Sequence, residues 1–190
     1  ESGKFDEAID LLKDGVGKAP KDANLYALLS HCYILNNAVN DAANQLAKAR
    51  ELDPNIASVG WNETRLLLKK KKVDEALSVA QKTNRSFPND IEGMGVLGLC
   101  LRVNGDINES LKFLNKAIEL NPDYAEALIN RGLIRLSQND KTGALSDLEK
   151  AYQLRPHIKQ IWEVLIGLKV EKKQYSEAIM LLINMIETDP

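Results

Sequence analysis

The fold class expected of this chain is all-α, with helix hairpins laid end to end in a tandem array. Three observations predict it. The six prolines stand at 20, 54, 88, 122, 156 and 190, so every gap is 34 residues. Within each period two apolar runs recur at helical spacing, separated by a short turn. The same ending is written three times, as KARELDP (48–54), KAIELNP (116–122) and KAYQLRP (150–156). A period of this length matches a helix–turn–helix unit. Proline suits the joint because it lacks an N–H, clashes with a continuing helix and pushes the residue before it out of the helical region.

Residues 1–22 read as the second helix of a unit whose first helix is missing, which would leave Phe5, Ile9 and Leu12 exposed. The chain opens on Glu1 without a methionine and stops at a repeat-closing proline, so it reads as a piece of a longer protein. Five full units follow, at 23–56, 57–90, 91–124, 125–158 and 159–190, as one continuous domain. The third shows the plan most openly. Met94, Leu97 and Leu101 share one helical face, and Asp90 before them is a plausible N-cap. Asn104-Gly105-Asp106 makes the turn, where glycine is free to take positive φ. Ile107, Leu111, Leu114 and Ile118 then form a second stripe, and Pro122 closes the unit. Asn37, Lys71, Asn139 and Lys173 hold the place of Gly105 in the other units. Small residues recur where the two helices should cross, at Ala42, Ala76, Ser110, Ala144 and Ala178, and again at Ala49, Thr83, Ala117 and Ala151. They let backbones approach closely, and the short turn makes neighbouring helices antiparallel.

These residues resemble the tetratricopeptide repeat family, whose pattern is W-x2-L-G-x2-Y, then A-x3-F, then P. Tyr26, Leu29, Ser30 and Tyr33 match its first helix, and Ala42, Leu46, Ala49 and Pro54 its second. Leu97, Gly98, Leu114, Ala117 and Pro122 match in the third unit. Gly132, Ala144, Leu148, Ala151 and Pro156 match in the fourth. Trp162, Leu165, Tyr175, Ala178 and Leu182 match in the fifth. The second unit departs most. Gly60, Glu63 and Thr64 replace the aromatic, leucine and glycine, and Trp61 comes one place late, so that helix is expected to be rotated or differently packed.

The resemblance implies a right-handed superhelical solenoid whose concave groove is lined by the first helix of each unit and binds peptides or partner helices. By repeat phase the groove would carry Asn24, Ala27, His31, Trp61, Asn62, Arg65, Val96, Leu99, Arg102, Asn130, Leu133 and Glu163. Trp61 can equally be core in a distorted unit. A carboxylate clamp of Lys, Asn and Arg, used by some members, is interrupted by Ala27, Gly95 and Val96. The asparagine ladder of glycosyltransferase relatives is present at Asn62 and Asn130 but broken at Val96 and Val164. What remains is a mixed apolar and cationic groove, suited to an amphipathic helix or a short extended peptide.

Chemistry-bearing patterns are few. GMGVLG (93–98) spells a dinucleotide fingerprint but lies inside a helical run, without the preceding strand that such a site needs. Two histidines, His31 and His157, sit in different units, and no Cys/His spacing suggests zinc. Cys32 and Cys100 are two periods apart, too far for a disulfide between stacked hairpins. The lysines of LLLKKKKV (66–73) suit the negative end of a helix dipole. N-x-[ST] triplets at Asn62, Asn84 and Asn108 are ascribed to chance. Arg131 and Arg135 stand where leucine and tyrosine are usual. Arg131 is expected to reach Asp147 on the partner helix as a structural ion pair, with Arg135 turned toward a ligand as the second option.

A net charge of −2 offers no global case for nucleic acid, and 5% aromatics leave few stacking surfaces for single strands. No apolar run approaches the ~18 residues of a membrane span. The expectation is a protein-interaction scaffold without catalysis or cofactor. Its rivals are the substrate-recruiting arm of a longer enzyme, such as a glycosyltransferase, and a scaffold that self-associates through its exposed ends. The residues name no partner and no compartment, with the cytoplasm the favoured setting.

Overall fold

The computed structural model describes residues 2–156 and 158–188, with side chains from residue 6 onward apart from 159, 160 and 188. Phe5's side chain and His157 therefore lie outside the described residues. Eleven helices account for the described chain, in the order α1 (Ser2–Lys18), α2 (Ala23–Leu35), α3 (Val39–Leu52), α4 (Ala57–Lys69), α5 (Val73–Ser86), α6 (Ile91–Asn104), α7 (Ile107–Leu120), α8 (Ala125–Ser137), α9 (Lys141–Leu154), α10 (Lys159–Glu171) and α11 (Tyr175–Thr188). No strand occurs among the described residues. The chain divides into two compact bodies, residues 2–105 and 106–190.

Short turns set the helix pairing. Asn37, Lys71, Gly105, Asn139 and Lys173, each 34 residues from the next, all take positive φ, between 59° and 96°. The turn after α2 shows how they work. Ala38 N–H donates to Tyr33 O at 2.9 Å and Asn37 N–H to Ile34 O at 3.2 Å. This doubly bonded ending satisfies carbonyls that the helix leaves unpaired. The same longer bond recurs from Lys72 to Leu67, Asp140 to Arg135 and Gln174 to Lys169. Four of these residues have a Cβ, so the ending is imposed by tertiary packing as well as by glycine's freedom.

In residues 2–105 each helix packs on the next along the chain, and α4 also lies against both α2 and α6. The leading helices α2, α4 and α6 thus form a layer of their own. Ala27, Ile34, Ala42, Leu46, Ala49, Val59 and Leu66 make a core cluster there. The small residues do the work expected of them: Ala42, Ala49 and Ala76 are fully buried. Ser30 sits at the α2–α3 crossing and donates to Ala42 O at 2.8 Å, so its buried hydroxyl costs nothing in lost hydrogen bonds.

The second hairpin compensates for its altered residues. A Cβ on Gly60 would meet Thr83 Oγ1 at 2.2 Å. Glycine faces a larger threonine here, where Tyr26 and Ala49 stand at the same repeat places in the first hairpin. The displaced aromatic, Trp61, turns toward α6 instead. Its ring occupies the space above Gly93, where a Cβ would fall 2.2 Å from Cζ2. Its Nε1–H donates to Asp90 Oδ2 at 2.6 Å. Glu63, in the place of a leucine, pairs with Arg50 at 2.7 Å.

One expectation about α1 is corrected. Ile9 is buried, and Leu12 is half-buried, because α1 packs against α2. The large apolar side chain that α1 exposes is Leu11. Of the apolar face on which self-association was expected to rest, Ile9 is therefore already packed within the chain.

In residues 106–190, α7 packs on α8, α8 on α9, α9 on α10 and α10 on α11. Leu128, Leu145, Leu148, Ile161, Trp162 and Leu165 form the centre of its core. Trp162 donates from Nε1 to Pro156 O at 2.8 Å. Tyr26 makes the matching bond to Pro20 O at 3.3 Å. An aromatic at this place thus ties its helix to the carbonyl of the joint proline six residues earlier.

Candidate partner-binding face

The residues expected to line a groove fall in both bodies, so each set is taken within its own. Nine belong to residues 2–105 and lie on α2, α4 and α6. Burial separates them. Trp61 and Ala27 are fully buried, and Val96 nearly so. These three are core residues, which corrects their assignment to a groove. Trp61 has no surface to offer because its indole is spent on Gly93 and Asp90.

Asn62 is also buried, and its amide is committed. Nδ2 donates to Ala27 O at 2.7 Å, while Oδ1 accepts from Arg65 Nη1 at 3.3 Å. Arg65 continues the line with an ion pair to Glu92 at 2.8 Å. The result is a polar strap from α2 through α4 to α6. It fixes the spacing of the three leading helices and leaves no carboxamide to hold a peptide backbone. Asn62 in this position also cannot serve as a glycosylation acceptor.

His31, Leu99 and Arg102 are half-buried and Asn24 is exposed. Beside them stand three exposed apolar residues that phase counting passed over, Leu28, Leu35 and Val103. Leu35, Lys69 and Val103 occupy the same repeat place on α2, α4 and α6. Lys69 reaches from the end of α4 to Asn37 Oδ1 at 3.2 Å, in the turn after α2. Half-buried Leu68 adjoins them. The leading helices thus present leucines and a valine interleaved with Lys69, Arg65 and Arg102. A signal for this was present: α2 reads ANLYALLSHCYIL, apolar on every side, which a helix with one solvent face does not need. Burial pulls the Arg102 guanidinium below its ordinary value.

The thiols lie in the same body and add no chemistry. Burial pushes Cys32 upward and Cys100 up to about 11, so neither is a thiolate at neutral pH.

In residues 106–190, Asn130 is buried and its Nδ2 donates to Glu126 O at 2.8 Å within its own helix. Leu133 is half-buried against the core cluster, and Glu163 is exposed. The arginines show a clear arrangement. Arg131 grips buried Asp147 with two bonds, Nε to Oδ2 at 2.9 Å and Nη2 to Oδ1 at 2.7 Å. Its Nη1 also donates to Asn115 Oδ1 at 2.9 Å. Arg135 donates to Asp147 Oδ2 at 2.8 Å. The option that Arg135 turns to a ligand is corrected by this bond: it is the second cation on one carboxylate.

Lys169 was missed by sequence reasoning. It is buried between Glu149 of α9 and Glu177 of α11 and bonds to both. Burial opposes its charge, but the two carboxylates outweigh burial and hold it above its ordinary value. Its hydrogen bond holds Glu177 below the usual carboxylate range.

Among the described residues no group of three or more His, Cys, Asp or Glu is placed to hold a metal. No described helix is long and apolar enough to cross a membrane.

Comparison with known proteins bears on the whole arrangement. Family models described as tetratricopeptide repeat match residues 1–61 and 125–158, and one described as TPR repeat matches 98–139. The tetratricopeptide repeat-containing protein trd-1 of Caenorhabditis elegans is 23% identical over 97% of this chain and 23% of its own length. The UDP-N-acetylglucosamine–peptide N-acetylglucosaminyltransferase of Giardia intestinalis is 27% identical over 60% of the chain and 8% of its own length. The chain thus spans under a quarter of either relative. Among solved structures, the APC/C hetero-tetramer Cut9–Hcn1 superposes with a TM-score of 0.75 at 19% identity, over 97% of this chain and 37% of that one. That likeness is one of fold.

Proposed function

This chain belongs to the tetratricopeptide repeat family, and from that premise we propose that it is a protein-interaction scaffold whose leading helices bind a segment of another protein. The binding face is placed on α2, α4 and α6. The observation that carries this reading is the row of exposed Leu28, Leu35 and Val103, set among half-buried Leu68 and Leu99 and the cations Lys69 and Arg102. Exposed apolar residues scattered singly need no explanation; these three all fall on the leading helices, and two of them stand at one repeat place. An apolar strip studded with cations suits a peptide or amphipathic helix with apolar anchors and acidic neighbours.

The polar strap through Asn62, Arg65 and Glu92 supports the same reading. It holds the three helices at fixed spacing, so the face is formed before a partner arrives and less ordering is needed on binding. No catalytic role is assigned to any residue.

The test is capture of partners by the whole chain against a Leu35→Asp, Val103→Asp variant, with helicity checked by circular dichroism. Both sites are exposed, so the variant should fold. Loss of a captured protein only with the variant supports the face; equal capture by both sinks it. A second reading, the recruiting arm of a longer enzyme, is favoured by the likeness to the Giardia transferase. Its test is whether removing these residues from the full-length polypeptide abolishes turnover of protein substrates while sparing short ones.

A further inference from the structure

The charges of residues 2–105 are sorted along the leading helices. At the starts stand carboxylates: Asp22 caps α2, and Asp90 caps α6 with exposed Glu92 beside it. At the ends stand cations. Lys69 closes α4, and Lys70, Lys71 and Lys72 form the turn after it, all four exposed. The helix dipole does not require four lysines, since α2 ends with no basic residue in its last turn. Nor does the chain answer most of them. Lys72 pairs with Glu75 at 2.9 Å, and Lys69 donates to the neutral amide oxygen of Asn37. Lys69, Lys70 and Lys71 have no ion pair among the described residues.

Apolar residues flank this cationic point. Leu35 closes α2 and Val103 stands next to last in α6, at the repeat place that Lys69 holds in α4. They are 50% and 45% exposed, although α4 packs beside both helices. With α4 between them, the order across the helix ends is apolar, cationic, apolar. At axis spacings of ~8–10 Å, Leu35 and Val103 stand on the order of 16–20 Å apart.

On the reading that α2, α4 and α6 form the binding face, and dependent on it, we propose that the face takes a short, extended, acidic segment of a partner protein. The segment crosses the helix ends with one apolar side chain on Leu35, another on Val103, and carboxylates between them on Lys69, Lys70 and Lys71. An extended chain advances ~3.3 Å per residue and puts alternate side chains on one face. The two apolar residues are therefore about six apart, an even spacing that keeps both on the face, with acids at the alternate places between. A helical partner fits less well. It needs ~11–13 residues to span the same distance, and the middle of its apolar stripe would lie on Lys69. The carboxylates at the starts of α2 and α6 repel an acidic segment, which holds it at the lysine end of the face.

The test is fluorescence anisotropy of a capped, labelled seven-residue peptide against the whole chain. Leucines stand at its ends, glutamates at its third and fifth places, and serines between. The expected result is saturable binding that added salt weakens. Glutamine in place of both glutamates, or Lys70→Glu with Lys71→Glu in the chain, should each weaken it roughly three- to tenfold. A peptide with lysines in place of the glutamates should bind the reversed chain better than the parent. Both lysines are exposed, and circular dichroism checks that helicity is kept. The glutamine peptide needs no variant, so the test holds even if the reversed chain folds poorly. No binding to the parent overturns the proposal, and so does binding indifferent to either charge change. Tighter binding of a helix-forming peptide with an unbroken leucine stripe overturns the extended form. Leu35→Asp with Val103→Asp reads the face itself. If that variant loses a captured protein while Lys70→Glu with Lys71→Glu keeps it, the face stands and the acidic occupant falls.

Discussion

Asp90 does two jobs with one carboxylate. Oδ1 caps α6 by accepting from Glu92 N–H at 3.1 Å, and Oδ2 accepts from the Trp61 indole. The cap is visible in sequence because an aspartate stands just before a helical run. The indole bond is not, because its donor lies 29 residues earlier and one place out of phase. Replacing Asp90 with alanine removes a cap worth about 1 kcal/mol and strands a buried donor at about 1–3 kcal/mol. The expected loss by urea denaturation is about 2–4 kcal/mol. Trp61→Phe removes the donor as well as its bond and should cost less. The Gly93 contact makes a sharper case. Gly93→Ala overfills the site, at about 1–3 kcal/mol. Most of that should vanish in a Trp61→Leu background, since neighbouring sites couple. Additive losses would show that the ring does not press on α6. Asp147 is the other residue to remove. Asp147→Ala leaves two guanidiniums facing each other over a void, with an expected cost of about 3–5 kcal/mol. An unchanged melting midpoint would reject a structural role for the cluster.

At the scale of elements, helix existence and turn position were legible because both follow from local constraints. Proline recurs at a fixed phase, and the turn residue sits at a fixed offset from it. The positive φ at Asn37, Lys71, Gly105, Asn139 and Lys173 shows how strict that offset is. Lysine pays for the conformation, since the left-handed region costs an L-residue about 1–2 kcal/mol. Lys71→Gly should therefore raise stability by about 0.5–1 kcal/mol, the gain being reduced by glycine's greater freedom when unfolded. Gly105→Ala should lower it. The ties between α9, α10 and α11 were less legible, because a lysine in an apolar phase does not announce its partners. Lys169 and Glu177 give those ties a pH signature. Glu177 titrates below its unfolded value, so its contribution is present above that value and lost as pH falls through the folded one. Lys169 titrates above its unfolded value, near 10.5, so its contribution is full below that pH and lost as pH rises through the folded value. The melting-point gap between the parent and Lys169→Met should narrow at both ends. A gap constant from acid to alkali would mean that the cluster acts by packing alone.

At the scale of the molecule, the binding face was half legible, and the reason is geometric. Repeat phase locates a helix face to within one residue, but one residue is a 100° turn. Ala27 and Leu28 are neighbours in sequence, yet one is core and the other exposed. Only side-chain size on the adjacent helices decides between them, and that is a tertiary fact. Trp61 shows the same thing: its destination depends on glycine at 93. The division into bodies at Gly105 was not visible either, because the period runs through it unbroken. It yields a last prediction. In a linear array each unit contacts mainly its neighbours, so stability is close to a sum of local terms. The cluster of Ala27, Ile34, Ala42, Leu46, Ala49, Val59 and Leu66 draws on α2, α3 and α4 alone. The Trp61–Gly93–Asp90 contact joins α6 to it within the same body. Residues 1–105 expressed by themselves should therefore keep helical circular dichroism and melt cooperatively, with Trp61, the single tryptophan of that piece, still shielded from quencher. A piece that is helical but melts without cooperativity, its indole open to quencher, would mean that the hold on α6 needs residues beyond Gly105. The strap from Ala27 to Glu92 would then lose its claim to set the spacing of the face unaided.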